Sequence, residues 1–187
     1  MKKLLITAFE PFGGSSRNAS SEVLKRLPAE LDGCTVEKLL LPVVFQAAAE
    51  TALRRPADCI FLLGEAGGRP TVTPEVKAVN LRNARIPDNA GRQPENEKIL
   101  PEGPDEYRTA VPVVRITESM QAEGIPIAVS EDAGAYVCND TFYLTGIRAS
   151  VPVEFIHVPA EPDRADEFAE TVRNYIERAL KSLNLIK

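Results

Sequence analysis

The chain has 187 residues, of which 44% are hydrophobic and 26% are charged, and its formal net charge at pH 7 is −5. This length and composition predict one soluble globular domain over residues 1–187, large enough to bury a core without disulfides or a structural metal. The acidic balance, without a basic stripe, argues against a nucleic-acid-binding protein. No apolar run approaches the ~20 residues that a membrane-spanning helix requires.

The three cysteines, Cys34, Cys59 and Cys138, are an odd number and lack Cys-x-x-Cys spacing. That pattern is typical neither of a disulfide framework nor of a zinc site, so we expect a reducing, cytoplasmic environment. The apolar run at the N-terminus is too short for a signal peptide and is interpreted as a first strand. A single histidine and scattered acids form no ligand cluster, and we expect no metal site.

The first half of the chain alternates strand and helix patterns. Residues 3–9 form a continuous apolar run, which is typical of a strand buried on both faces. A serine at position 20 or 21 can cap a helix that ends near residue 27. The pattern then predicts a strand over 35–41, an alanine-rich helix over 43–55 and a buried strand over 58–63 that runs into a glycine cluster.

The second half opens with a short alternating strand over 77–81. Residues 83–107 are rich in proline, glycine, asparagine and charge, which predicts a long loop of functional or mobile character. The remaining patterns predict a helix over 113–123, a strand over 126–130, a helix over 138–146, a strand over 152–158 and a helix over 162–183.

This alternation predicts an α/β fold, a three-layer α/β/α sandwich with a twisted, largely parallel central sheet. In such sheets ligands bind beyond the carboxyl ends of the strands. The predicted strands that end near residues 9, 64, 130 and 158 are each followed by a distinctive segment. We therefore expect these segments to meet at one edge of the sheet and to share a site.

Cys138 follows a glycine turn and begins a predicted helix. A thiol at a helix N-terminus feels the positive end of the helix dipole, which lowers its pKa, and this makes Cys138 a candidate nucleophile. A neighbouring imidazole would favour a thiolate–imidazolium pair. The alternative is a buried cysteine that only packs, the commonest state of a free cysteine and our interpretation of Cys34 and Cys59.

His157 is the only histidine, and it lies near the end of a predicted strand, just before Pro159. It is the candidate base for Cys138, the alternative being a core histidine with satisfied hydrogen bonds. Such a base needs a carboxylate or an amide that orients its ring. Spacing alone leaves four candidates open, Glu10, Glu65, Glu75 and Asp88.

Two glycine-rich segments, 10–14 and 64–69, both follow predicted strands. Backbone N–H groups in such turns can bind an anion, but neither segment matches the P-loop or the dinucleotide-binding pattern. Phe9 and Phe12 flank the turn after the first strand. They are candidates either for the lining of a small apolar pocket or for ordinary core packing.

Seven segments together resemble the pyroglutamyl-peptidase I family, the pyrrolidone-carboxylate peptidases. They are FEPFGG (9–14), GEAGGR (64–69), TPE (73–75), AVNL (78–81), ARIPDN (84–89), AGAYVCN (133–139) and FIHVP (155–159). They occur in the family's order over most of the chain, which is far more specific than any one of them. The resemblance implies an α/β/α sandwich, often assembled as a tetramer, that uses no metal or cofactor.

The resemblance further implies a cysteine peptidase that removes N-terminal pyroglutamate from peptides through a thioester acyl-enzyme. It carries over Cys138 as the nucleophile, His157 as the general base and acid, and Glu75 as the orienting carboxylate. Arg85 matches the arginine that the family places near the oxyanion hole. The substrate-binding residues that it implies are Phe9, Phe12, Glu65, Ile86, Tyr136 and Val137.

The chain departs from the family pattern in a shortened segment before His157 and at several positions, three of which concern the site. Glu65 stands where glutamine is usual, and its charge is expected to raise the pKa of a nearby thiol. Val76 replaces an arginine and removes a cation that would accompany Glu75, and Val43 replaces a pocket threonine. These departures motivate two alternatives, a related cysteine amidase with another small amide substrate and a catalytically silent binding protein on the same fold.

Overall fold

The computed structural model describes residues 2–186. Its strands are β1 (Lys3–Phe9), β2 (Glu30–Leu31), β3 (Cys34–Leu41), β4 (Cys59–Ala66), β5 (Thr73–Pro74), β6 (Lys77–Val79), β7 (Glu106–Arg108) and β8 (Val153–Pro159). Its helices are α1 (Ala19–Arg26), α2 (Ala47–Leu53), α3 (Val113–Ala122), α4 (Val137–Arg148) and α5 (Ala165–Ser182), with a 3-10 turn at Pro162–Arg164. Across these residues, no helix combines the length and apolar character needed to cross a membrane.

Six strands form the main sheet, in the order β2-β3-β1-β4-β8-β5. The central pairings β3 with β1, β1 with β4 and β4 with β8 are parallel, whereas the short edge strands β2 and β5 pair antiparallel. Strands β6 and β7 form a separate antiparallel pair. The prediction of an α/β fold with a largely parallel sheet is confirmed.

Helices cover both faces of this sheet. Side chains alternate along β1, so that Leu4 and Ile6 pack with residues of α1, α3 and α5. Leu5 packs on the other side with residues of α2 and α4. Because both faces are buried, the central strands are continuous apolar runs, and for that reason they could be predicted from the sequence.

Two predicted elements differ from the observed structure. Residues 126–130 were predicted as a strand, but they make only isolated bridges, Ile127 to Val72 and Ser130 to Glu75. The helix predicted over 43–55 begins only at Ala47. The backbone N–H groups just before it are held by distant carboxylates, and Gln46 has a φ of 66°.

The segment predicted as a long loop, 83–107, is tied down by its own side chains. Asp88 accepts hydrogen bonds from the backbone of Ala90 and Arg92. Arg82 pairs with Glu97 through both backbone and side chain. Asn89 also donates hydrogen bonds to the carbonyls of Val43 and Pro11, which hold the loop against the rest of the domain.

Candidate active site

The carboxyl ends of β4 and β8 carry the centre of the site. Gly64 of β4 and His157 of β8 are direct partners in the parallel register. The Cys138 thiol packs against the same position, because a β-carbon built on Gly64 would lie 2.9 Å from the Cys138 Sγ. The sheet edge thus brings Cys138 and His157, 19 positions apart in the chain, into one cavity.

Cys138 is the second residue of α4, and its neighbour Asn139 anchors the start of that helix. The buried Asn139 side chain exchanges hydrogen bonds of 2.8 and 2.9 Å with the backbone of Val79 and donates another, of 3.0 Å, to Leu81. The first backbone N–H groups of a helix have no intrahelical acceptor, and here they lie beside the thiol. Cys138 therefore stands on a fixed helix start with free donors around it.

His157 is hydrogen-bonded to Glu75, with 2.7 Å between Nδ1 and Oε1, and both side chains are buried. A carboxylate only accepts hydrogen bonds, so Nδ1 carries the proton and Nε2 of the neutral ring is free to act as a base. Among the described residues, none of the other candidate carboxylates, Glu10, Glu65 and Asp88, bonds to His157.

Sequence reasoning missed Arg69, which follows the glycine turn after β4. Its guanidinium donates to Glu75 Oε1 at 2.7 Å, to Thr73 Oγ1 at 2.5 Å and to the Asp132 carbonyl at 2.7 Å. Val76 provides no cation beside Glu75, as the sequence indicates, but Arg69 supplies one from another loop. The signals in the sequence were its position shortly after a predicted strand and its place in the GEAGGR segment that resembles the family.

The protonation state of the thiol differs from the expectation for a helix N-terminus. The Cys138 residue is only partly buried, but the protein atoms around its sulfur exclude the water that a thiolate needs, and this raises the thiol pKa to about 12. The charges of Glu75 and Glu65 also raise this pKa, whereas the charge of Arg69 lowers it. Burial also lowers the pKa of His157, against the effect of Glu75. Both groups are accordingly neutral at rest near pH 7.

A cavity of about 600 Å³ opens in front of Cys138 and His157. All six residues implied for substrate binding line it, Phe9, Phe12, Glu65, Ile86, Tyr136 and Val137. Val43 lines the same cavity from a buried position. Part of the wall is aromatic and aliphatic, as is usual in a pocket for a small ligand, and the rest is polar or charged, with Arg69, Arg85 and Asp132 among its residues.

Tyr136 joins two walls of the cavity. Its ring centroid lies 6.0 Å from that of Phe12 and 5.5 Å from that of Phe45, and its hydroxyl donates to the Pro87 carbonyl at 3.0 Å. Burial raises the Tyr136 pKa to about 12, so the hydroxyl stays a neutral donor. The contact links the segment before Cys138 to the loop that carries Arg85 and Ile86.

Glu65 reaches the start of α1. Its Oε2 accepts a 2.5 Å hydrogen bond from the backbone N–H of Ala19, where the positive end of the helix dipole favours an anion. Asn18 caps the same helix and also lines the cavity, although sequence reasoning gave it no role. The sign of this role in the sequence was that Asn18 is a polar residue shortly after the first strand and just before a predicted helix.

Two arginines near the cavity differ in their surroundings. Arg85 lines the cavity, is exposed, and makes no ion pair with any described side chain. Arg82 is buried and fixed by Asp140 at 2.6 Å and Glu97 at 3.0 Å. Of the two, Arg85 has the free guanidinium that can turn toward a bound molecule.

Comparisons with known proteins show which family the chain resembles. Residues 2–183 match the family model described as pyroglutamyl peptidase. The pyrrolidone-carboxylate peptidase of Levilactobacillus brevis is 44% identical over 172 residues, 87% of this chain and 84% of that protein. Pyrrolidone-carboxylate peptidase 1 of Caldanaerobacter subterraneus is 39% identical over 180 residues, 90% of this chain and 88% of that protein.

Solved structures are similar over almost the whole fold. The pyrrolidone carboxyl peptidase of Thermococcus litoralis superposes with a TM-score of 0.90 at 31% identity, covering 99% of this chain and 96% of that one. The pyroglutamyl peptidase I of Bacillus amyloliquefaciens superposes with a TM-score of 0.88 at 37% identity, covering 97% and 98%. The chain therefore belongs to the pyroglutamyl peptidase family, whose members are cysteine-type peptidases.

Proposed function

We propose that this chain removes N-terminal pyroglutamate from peptides, with Cys138 as nucleophile, His157 as general base and acid, and Glu75 as the orienting carboxylate. The observation that carries the proposal is one arrangement at the sheet edge. The Cys138 thiol packs at the position of Gly64, the register partner of His157, and His157 is bonded to the buried Glu75. Nucleophile, base and orienter are the three parts of a hydrolytic triad.

The pocket suits an uncharged lactam ring. The aromatic and aliphatic residues of the cavity favour burial of the ring, and its polar residues can pair with the amide. A proline in the same place lacks the lactam oxygen and would leave those groups unpaired. We therefore expect discrimination against proline to come from unsatisfied hydrogen bonds rather than from shape.

Attack and deprotonation occur together in this scheme, because the thiol and the imidazole are both neutral at rest. His157 Nε2 takes the thiol proton as the Cys138 sulfur bonds to the carbonyl carbon between pyroglutamate and the next residue. The Glu75 carboxylate, held at 2.7 Å, stabilises the imidazolium that forms.

The negative charge on the carbonyl oxygen then needs donors. The free backbone N–H groups at the start of α4 are the nearest candidates, and Arg85 is proposed to add a cation from the opposite wall. Each such donor is typically worth about 3–4 kcal/mol in the transition state.

Collapse of the intermediate breaks the C–N bond and leaves a thioester on Cys138. His157 gives its proton to the leaving amine and, once neutral again, takes a proton from the water that attacks the thioester. Pyroglutamate leaves, and the thiol regains its proton.

The proposal extends to the protein's setting. Three free cysteines, two of them buried, suit a reducing compartment such as the cytoplasm. We also propose that residues 1–187 act as one domain and that copies of the chain assemble, as a tetramer by resemblance to the family. Light scattering on a size-exclusion column measures the assembly directly, and a monomer mass would refute it.

The test of the substrate is a panel of N-terminally blocked amides that release a fluorescent amine. We expect turnover of the pyroglutamyl amide and at least about 100-fold lower kcat/KM for the matching prolyl amide, because buried polar groups are left unpaired. Preference for another small amide would favour the related amidase, for which Glu65 and Val43 in the cavity wall are the observations. No turnover of any amide by the folded protein would favour a catalytically silent binding protein.

A further inference from the structure

We infer that Arg69 is a positioning residue that holds Glu75 on His157 and ties both to the segment leading into Cys138. The inference rests on the proposed function, in which these three residues form the triad. Arg69 contacts neither the thiol nor the imidazole through a hydrogen bond. It acts on them through the groups that it holds and through its charge.

One guanidinium joins two elements of the site. Nη1 bonds to Glu75 Oε1 and Thr73 Oγ1, while Nη2 bonds to the backbone carbonyl of Asp132. Thr73 is the antiparallel partner of His157 in the sheet. The planar fork of arginine reaches these acceptors at once, which the single ammonium of a lysine does less well.

The carboxylate itself depends on this contact. Glu75 is fully buried, and its Oε1 receives hydrogen bonds from both Arg69 and His157, while Oε2 has no partner within residues 2–186. Since His157 is neutral at rest, Arg69 is the cation that offsets the buried charge. Without Arg69, protonation of His157 would compensate the buried negative charge of Glu75, and a protonated His157 is no longer a base.

The third bond fixes the approach to the nucleophile. Asp132 begins the turn before α4, and its side chain accepts a 2.8 Å hydrogen bond from the backbone of Gly134. Asn83 donates to the Ala135 carbonyl from the other side. Arg69 therefore links the end of β4 to the turn that sets where Cys138 stands relative to His157.

The charge of Arg69 shifts the pKa values of His157 and Cys138 in the same direction. Its positive charge lowers the pKa of His157 and lowers the pKa of Cys138. Removing the charge raises both. The acidic limb of the pH profile, which reports the loss of the proton from His157, should then move to higher pH.

The experiment compares Arg69→Met and Arg69→Lys with the wild type and with Arg178→Met as a matched control. Arg178 has a similarly exposed side chain, 26% against 22%, and similarly pairs with a carboxylate, Glu123, at 2.6 Å, but it lies on α5 away from the cavity. The measurements are kcat and kcat/KM for a pyroglutamyl amide against pH, the rate of Cys138 alkylation by iodoacetamide against pH, and the melting temperature.

We expect Arg69→Met to lower kcat by about 100-fold, the loss that a displacement of about 1 Å between reacting groups produces. Its acidic limb should move up by about one pH unit, as for the loss of a nearby cation. Arg69→Lys keeps the positive charge, so its acidic limb should stay close to that of the wild type. Its kcat should lie between the values of Arg69→Met and the wild type, because lysine lacks the planar fork. Arg178→Met should change neither.

Unchanged pH profiles in both Arg69 variants, with losses that follow the melting temperature alone, would overturn the inference. If Arg69→Met does not fold, Arg69→Lys still decides the matter through the split between kcat and the pH profile. If the wild type does not cleave the amide, the proposed function fails. The alkylation profile of Cys138 then still tests whether Arg69 governs the thiol, since no substrate enters that measurement.

Discussion

Gly64 and Cys138 are in contact because Gly64 has no side chain. A β-carbon at Gly64 would lie 2.9 Å from the Cys138 Sγ and 2.6 Å from Cζ of the Phe155 ring, closer than such atoms approach in real structures. The glycine thus makes room for the nucleophile beside the strand that carries His157. Backbone freedom is not its purpose, since Gly64 lies within β4.

Gly64→Ala is therefore expected to displace the thiol. We expect a loss of about 1–3 kcal/mol in the free energy of unfolding, the usual cost of overpacking, together with a large drop in kcat. Chemical denaturation and amide hydrolysis measure the two effects. Gly67→Ala is the control for stability, because a β-carbon there meets nothing within 4 Å, and an equal loss in both variants would contradict the steric explanation.

Glu75→Gln keeps the shape of the side chain but removes the charge that holds the His157 tautomer. We expect kcat to fall by about 10³- to 10⁴-fold, the loss known for a triad whose carboxylate becomes an amide. KM should change little, because Glu75 is buried behind His157. Activity within a factor of ten of the wild type would show that Glu75 does not orient the base.

Glu65→Gln removes a negative charge that raises the Cys138 pKa. Alkylation of Cys138 at a fixed pH should become faster, because more thiolate is present. The variant should also lose about 0.3–1 kcal/mol of stability, since the carboxylate no longer interacts with the α1 dipole at Ala19. A slower alkylation rate would mean that Glu65 acts on the thiol in another way.

Glu154 makes the stability of the fold depend on pH. This β8 residue is fully buried and forms no ion pair with a described residue. Burial raises its pKa well above the ordinary value, although nearby hydrogen-bond donors, Thr109 among them, oppose the rise. The folded state then retains a proton that the unfolded chain loses above about pH 4.3. Stability consequently falls as pH rises from that value toward the folded pKa, by up to about 1.4 kcal/mol per pH unit.

Glu154→Gln should abolish that slope, because an amide does not titrate. Urea denaturation at pH 5 and pH 8 compares the two proteins. We expect the wild type to lose more stability than the variant between these values, so that the variant gains on the wild type as pH rises. An equal change in the free energy of unfolding between pH 5 and pH 8 in both proteins would show that Glu154 has the same protonation state in the folded and unfolded chain.

The predicted elements succeeded where a single residue pattern determines the structure. The strands at 3–9 and 152–158 are buried on both faces, and the long apolar stripe of the last helix faces one core. Residues 126–130 have the same apolar character, but bridges at Ile127 and Ser130 are all that they form. Composition alone does not tell whether a neighbouring strand is in reach.

From the residue pattern alone, we could predict only that the segments carrying the site residues meet at one edge of the sheet. The topology explains why Cys138 and His157 line one cavity, since α4 begins at the edge where β8 ends. The contacts of Arg69 were not accessible, because its partners at 73, 75 and 132 share no period or motif with it. The raised pKa of Cys138 depends on tertiary burial, which a helix start seen in isolation does not reveal.

The most direct measurement is amide hydrolysis by the wild type, Cys138→Ala and Cys34→Ala, each shown to be folded by circular dichroism. Cys34 is a buried cysteine outside the cavity, so its variant controls for loss of a thiol. We predict that Cys138→Ala loses all measurable turnover of the pyroglutamyl amide while Cys34→Ala retains it. Turnover by folded Cys138→Ala at the wild-type rate would contradict the assignment of Cys138 as the nucleophile.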